Sequence, residues 1–155
     1  AYFQEFFEKY TGVFSWHDRL QTEAVTFKRL TTATGRQFDF PDCQRQYNGM
    51  ANYKTQIVNY PVQSVATAEI VPLGVILLHK KMKKLSLKSV VVNTVHDSVV
   101  IDTHPDEEDI INEIGPECLL AAQQEALDRF GLDTYIPLDV EMSHGKNWME
   151  QEEYA

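Results

Sequence analysis

Apolar residues recur every three to four positions near the start of the chain: Phe3, Phe6, Phe7 and Tyr10, then Val13, Phe14 and Trp16, then Leu20 and Phe27. That period predicts two helices over residues 2–28, meeting near Thr11-Gly12. The pattern then changes. Residues 29–41, from Arg29 to Pro41, are rich in threonine and predict two short strands turning at Gly35-Arg36. A polar stretch from Asp42 to Gln56 leads into Ile57. From Val62 to Met82 the helical period returns through Val65, Ala68, Val71 or Pro72, Val75 and Leu78. Pro61 opens or kinks that helix and Pro72 bends it, because each proline removes a backbone donor. Lys80, Lys81, Lys83 and Lys84 close it, where cations complement the helix dipole.

From Leu85 to Asp102 the chain reads as a tight β-hairpin. Two β-branched runs, Val90 to Val95 and Val99 to Ile101, flank His96-Asp97 and leave a carboxylate at the tip. Pro105 and the acids after it suit the first turn of a further helix. Ile111, Ile114, Cys118, Ala121 and Leu127 form its expected buried stripe, ending at Phe130-Gly131. Ile136 to Met142 alternates as a strand does and is expected to pair beside the hairpin. There is no internal repeat, low-complexity tract or linker. The whole, residues 1–155, reads as one α+β domain: an antiparallel sheet with a hairpin packed against long helices.

Composition narrows the class. With 155 residues, 43% of them hydrophobic and 24% charged, the chain suits a domain burying roughly two thirds of its unfolded surface. No apolar run approaches the ~18–20 residues of a membrane span, and no signal peptide opens the chain, so no membrane partner is expected. It begins with Ala1 rather than Met, which points to an internal boundary. Cys43 and Cys118 are too few for a disulfide scaffold and lack metal-ligand spacing, so they read as reduced thiols of an intracellular protein, from a bacterial cytoplasm or a virus-infected host. The net charge of −9 argues against a free-standing nucleic-acid binder, which would carry a basic face. The lysine cluster with Lys88 is the basic exception, whereas Asp102 to Asp109 and Glu150 to Glu153 are acidic. A DNA partner would have to be gripped mostly by residues outside this chain.

A carboxylate held at a hairpin tip can hold a divalent cation against a phosphate. Phosphoryl transfer by the two-metal route needs carboxylates placing two cations about 3.5–4 Å apart. Asp97 is the candidate; Asp102, five residues on, would face the other way in an unbroken strand, and Asp106 belongs with the next helix. On its own, His96-Asp97 is better explained by an ordinary turn. Four further segments change that: the aromatic helix pair with Trp16, the Gly35-Arg36 turn, the helix holding Asn59-Tyr-Pro-Val-Gln63, and a closing Pro137-Leu-Asp-Val-Glu with Gly145-Lys-Asn-Trp148. In this order, and over nearly the whole chain, they resemble the family A DNA polymerases, whose metal-binding hairpin is called motif C.

The resemblance implies roles. Asp97 matches the metal-binding aspartate of the polymerase palm, and His96 the histidine approaching the primer terminus. Asn59 and Gln63 match polar residues reaching the minor groove, where acceptors on every base pair allow pair geometry to be checked without reading sequence. Arg36 and Lys54 are candidate phosphate contacts. The implied cofactor is Mg2+, in a two-metal site of which this chain carries half. The implied partners are primer–template DNA, dNTP and the remaining polymerase portion. Template-directed DNA synthesis is thus the implied function, with the isolated chain inactive.

Departures from the pattern bear on these roles. Ser98 stands where the family often has glutamate, which makes the resemblance phage-like. Thr55, beside Lys54, stands where arginine commonly lies, and lysine supplies charge without a bidentate fork. An Asp-Tyr-Ser-like strand and an Arg-x-x-x-Lys helix are not found in the chain and are expected upstream, with fingers, thumb and any exonuclease. Three alternatives stand beside this reading: a subunit of a split polymerase completed in trans, a non-catalytic interaction module, and a His-Asp metal phosphohydrolase. The last is disfavoured by valine-rich flanks and by the scatter of His17, His79, His104 and His144.

Overall fold

Aromatic residues at helical spacing wind into α1 (Tyr2–Lys9) and α2 (Thr11–Phe27), as the period predicts. The structure, a computed structural model, describes residues 2–133 and 135–153; the side chains of Tyr2, Phe3 and Gln4 lie outside the described set, and with them the expected place of Phe3 on the apolar face. By its contacts the chain divides into two units, Ala1–Ser64 and Val65–Ala155, each with core clusters of its own.

In the first unit, α2 buries Leu20, Gln21 and Ala24. They join Leu30, Phe40, Cys43, Ala51 and Ile57, with Trp16, Val25, Phe38 and Tyr53 packed around them. The expected aromatic face is only partly core: Phe14 is 62% and Phe27 72% exposed. Strands β1 (Arg29–Thr31) and β2 (Gln37–Asp39) pair antiparallel with Leu30 opposite Phe38. The polar stretch that follows is docked onto α2 by side chains. Buried Gln21 accepts the Ala51 amide at 3.0 Å, and Arg45 reaches Asp18 at 3.1 Å and Thr22 at 2.7 Å. Within the stretch an isolated Arg45–Ala51 bridge and amides such as that of Gln46, donating to the Met50 carbonyl at 2.8 Å, satisfy main-chain groups without a regular element.

Helix α3 (Lys54–Gln63) is followed by a π-helical segment, Ser64–Glu69, and by α4 (Ile70–Lys84). The wide segment lies between Pro61 and Pro72, where the normal i→i−4 ladder loses donors, and π-bulges are a common way to absorb such defects. Contrary to the expectation from apolar runs, the helical stretch Lys54–Lys84 is long and apolar enough, by length and composition, to cross a membrane. A helix that packs inside a globular fold meets the same test, and α4 does pack, against α5.

Helix α5 (Glu108–Phe130) is preceded by a 3-10 turn, Pro105–Glu107, so Asp106 does fall at the helix entrance. The buried row of α4 is Ile70, Gly74, Leu78 and Met82. Of the expected stripe, Leu78 is buried and Val65 packs half-buried against Ile70, Ala122 and Ala126, whereas Val71 and Val75 are half-buried and Ala68 and Pro72 exposed. On α5 the buried row is Ile111, Ile114, Gly115, Cys118, Ala122 and Ala126; Ala121 and Leu127, expected there, are exposed. Small residues explain both shifts. A Cβ on Gly74 would stand 2.8 Å from Leu119 Cδ2 and 3.6 Å from the Ala122 Cβ. The helices therefore close together on Gly74 and Ala122, ridge against groove, and turn the larger neighbours outward.

Among the described residues the strands form three separate two-stranded antiparallel ladders: β1–β2, β3 (Val90–Val95) with β4 (Ser98–Asp102), and β5 (Ser143–Asn147) with β6 (Glu150–Glu153). The α+β class holds. The expected strand at Ile136–Met142 is corrected: those residues have no ladder partner. Their burial still alternates, with Leu138, Val140 and Met142 half-buried, and Leu138 packs with Ile70, Ala122 and Ala126. Pro137 lacks a donor, and the Ile136 carbonyl accepts from the Gln123 amide at 2.9 Å. This segment is held by side chains of α5 rather than by a sheet.

Candidate functional site

The hairpin β3–β4 is built as its sequence requires. Val95 pairs with Ser98, leaving His96 and Asp97 as a two-residue connection, and the register slips once between Val91 and Asn93. His96 takes a left-handed conformation, φ 55°. A non-glycine residue there costs about 1–2 kcal/mol, and such strain clusters at functional sites. Both tip side chains are exposed. The hydroxyl of Ser98 donates to the Val95 carbonyl at 2.8 Å, so it closes the turn instead of adding a second acid. Asp102 pairs with Val90 at the far end of the hairpin from Asp97.

The donor set for a metal is therefore one tip carboxylate. Among the described residues no three His, Cys, Asp or Glu side chains are grouped to hold an ion. The residues present do not form a two-metal site by themselves. The His-Asp pair lies in a β-turn rather than on a helix, so the arrangement gives the phosphohydrolase alternative no support. Both thiols are buried, free and held above their ordinary pKa by that burial, which suits packing rather than reactivity.

The other candidates lie in the first unit. Asn59 and Gln63 are exposed on α3, four residues apart and so on one face. Between them Tyr60 lies 5.3 Å from the ring of Phe38 and 6.2 Å from that of Phe40, pinning the helix to the chain leaving β2. Arg36 is exposed just before β2, in a turn where Gly35 donates to Thr32 at 2.9 Å with φ 86°. Only a glycine takes that φ freely. Lys54 is the first residue of α3, where a cation opposes the helix dipole and so contributes nothing to helix stability. Its charge, after burial, holds the His17 imidazole below its ordinary pKa.

One group escaped the sequence reading. Glu107 accepts the backbone amide of Lys88 at 2.9 and 3.0 Å, that of Ser89 at 2.8 Å, and the Ser89 hydroxyl at 2.6 Å. The Lys88 amide first, then the Ser89 hydroxyl and amide and the charge of His104, pull its carboxyl from an ordinary 4.5 down to about 2 against some desolvation. The available signal, acids after Pro105, pointed only to a helix start.

Comparison with known proteins follows the same outline. The sequence model of DNA polymerase family A matches residues 1–150. The chain is 29% identical over 150 residues to DNA polymerase I of Caldicellulosiruptor bescii, covering 96% of this chain and 16% of that protein. It is 27% identical to DNA polymerase I of Lactococcus lactis subsp. lactis, again over 96% of this chain and 16% of the relative. For the enzyme of Aquifex aeolicus the identity is 25%, over 94% and 22%. Among solved structures, the POL domain of Pol1 from M. smegmatis, in complex with DNA primer-template and dNTP, superposes with a TM-score of 0.66. That match has 20% identity and covers 77% of this chain and 21% of the other, and so concerns the fold alone. The chain spans 16% of the length of the first two relatives.

Proposed function

This chain belongs to DNA polymerase family A, and on that premise we propose that it is the C-terminal part of a polymerase palm acting in template-directed DNA synthesis. The observation that carries the reading is the hairpin tip: an exposed aspartate on a two-residue turn whose histidine is held at φ 55°. Asp97 would supply one carboxylate to a pair of Mg2+ ions whose other ligands come from outside this chain. Bound there, the ions would stabilise the attacking and leaving oxygens of nucleotidyl transfer. His96 is assigned to the primer terminus, Asn59 and Gln63 to the minor groove, and Arg36 and Lys54 to phosphates. Primer–template DNA and dNTP are the proposed partners, in an intracellular enzyme.

Alone, the chain is expected to be inert. The exposed rings of Phe6, Tyr10 and Phe14 suit burial against further polymerase, joined in one polypeptide or supplied in trans. Primer extension by the polymerase carrying this chain, with and without Asp97→Asn, tests the reading. A loss of 10³-fold or more, about the share of a principal charge-stabilising group, is expected. Wild-type-like extension by Asp97→Asn would sink it, as would extension by the isolated chain.

A further inference from the structure

The hairpin is a cantilever. Val90, Val92 and Val95 are 51%, 56% and 38% exposed, while Val91 and Ile101, near its base, pack on the cluster of Leu78, Met82, Ile111, Ile114 and Cys118. What fixes the direction of the tip is therefore what holds the base. Glu107 occupies the residue before α5, where a side chain usually caps its own helix, yet it makes no cap hydrogen bond. It reaches instead to Lys88 and Ser89, the two residues entering β3. The buried Ser89 hydroxyl donates to Glu107 and accepts the amide of His104, two residues past the end of β4. One carboxylate thus ties the entrance of the hairpin to its exit and to the start of α5.

We propose that Glu107 is the positioning residue of the hairpin tip, setting through Lys88 and Ser89 the direction in which His96 and Asp97 are presented. Its importance for catalysis rests on the reading of Asp97 given above. At about 3.3 Å per residue the tip stands roughly 20 Å from the clamp, so a tilt of about 5° at the base moves it by about 2 Å. A misplacement of about 1 Å at a reacting centre can cost on the order of 10²-fold in rate. The titratable group acting on the carboxylate is His104, which has the Lys88 ammonium 3.5 Å from its Nε2 and the Asp106 carboxylate 3.7 Å from its Nδ1.

The test uses amide NMR spectra of the protein and of Glu107→Gln, which keeps the shape but turns an amide toward two N–H groups. Resonances of Lys88 and Ser89 should shift, and those of His96 and Asp97 should shift or broaden with them, while Leu20 and Ala24 stay in place. Movement at Lys88, Ser89 and His104 with an unchanged tip overturns the proposal. Should Glu107→Gln not fold, Ser89→Ala removes one contact and is read by the same criterion. In primer extension Glu107→Gln should lower kcat about tenfold or more with KM for dNTP little changed, and Glu107→Asp should recover part of it. An unchanged kcat beside a displaced tip overturns the catalytic half. If the wild-type polymerase extends no primer, the functional reading fails, and the spectra still decide the positioning.

Discussion

Single side chains here do work at a distance from where their sequence pattern places them. Glu107 is the clearest case. Its carboxyl titrates at about 2 in the folded chain against an ordinary 4.5, because two backbone amides and a hydroxyl favour the charged form. The sign of the linkage follows: the folded state holds the proton less tightly, so this group stabilises it fully above pH 4.5. That contribution is lost as pH falls from 4.5 toward 2. Acid unfolding followed by circular dichroism should show wild type losing more stability over that window than Glu107→Gln. Parallel curves for the two proteins would show that the clamp is not made in solution.

Among the elements, the pairing of α4 with α5 is decided by its smallest residues. A Cβ on Gly74 would meet Leu119 Cδ2 at 2.8 Å and, less forgivingly, its Cα at 3.1 Å. A flexible leucine methyl can turn away; a helix backbone must shift. Gly74→Ala removes a glycine penalty of about 1 kcal/mol in a helix interior but forces an overpacking cost of about 1–3 kcal/mol. Net destabilisation is expected in chemical denaturation, and a stabilised variant would mean that the helices sit further apart. Gly145 is stricter still. A Cβ there would lie 1.8 Å from the Glu150 carbonyl oxygen, so the β5–β6 ladder itself requires glycine.

At the scale of the whole molecule, charge sets the terms of the DNA binding proposed for it. A chain of net charge −9 repels phosphate, and the candidate phosphate contacts are two, Arg36 and Lys54. Counterion release then predicts a slope of roughly −2 in log K against log salt for this chain on a primer–template, from about −0.9 per phosphate. Fluorescence anisotropy across a salt series checks it. A slope steeper than about −4 would mean that Lys80, Lys83 and Lys84 join the interface.

The local elements were legible in the amino-acid order, because periodicity, turn chemistry and proline act over a few residues. The helix pair, the Gly35-Arg36 turn, the hairpin with its two-residue tip and the helix start at Pro105 all follow from such short-range rules. What depended on the tertiary structure is each choice made between distant residues. Gly74 against Leu119 turned both helix stripes. Packing on α5 left Ile136–Met142 alternating yet unpaired. The roles proposed for Asn59, Gln63, His96 and Asp97 rest on five motifs in family order, since an exposed amide or a turn aspartate alone carries no such signal. Glu107 stayed hidden because its partners are backbone amides, which every sequence supplies and none advertises.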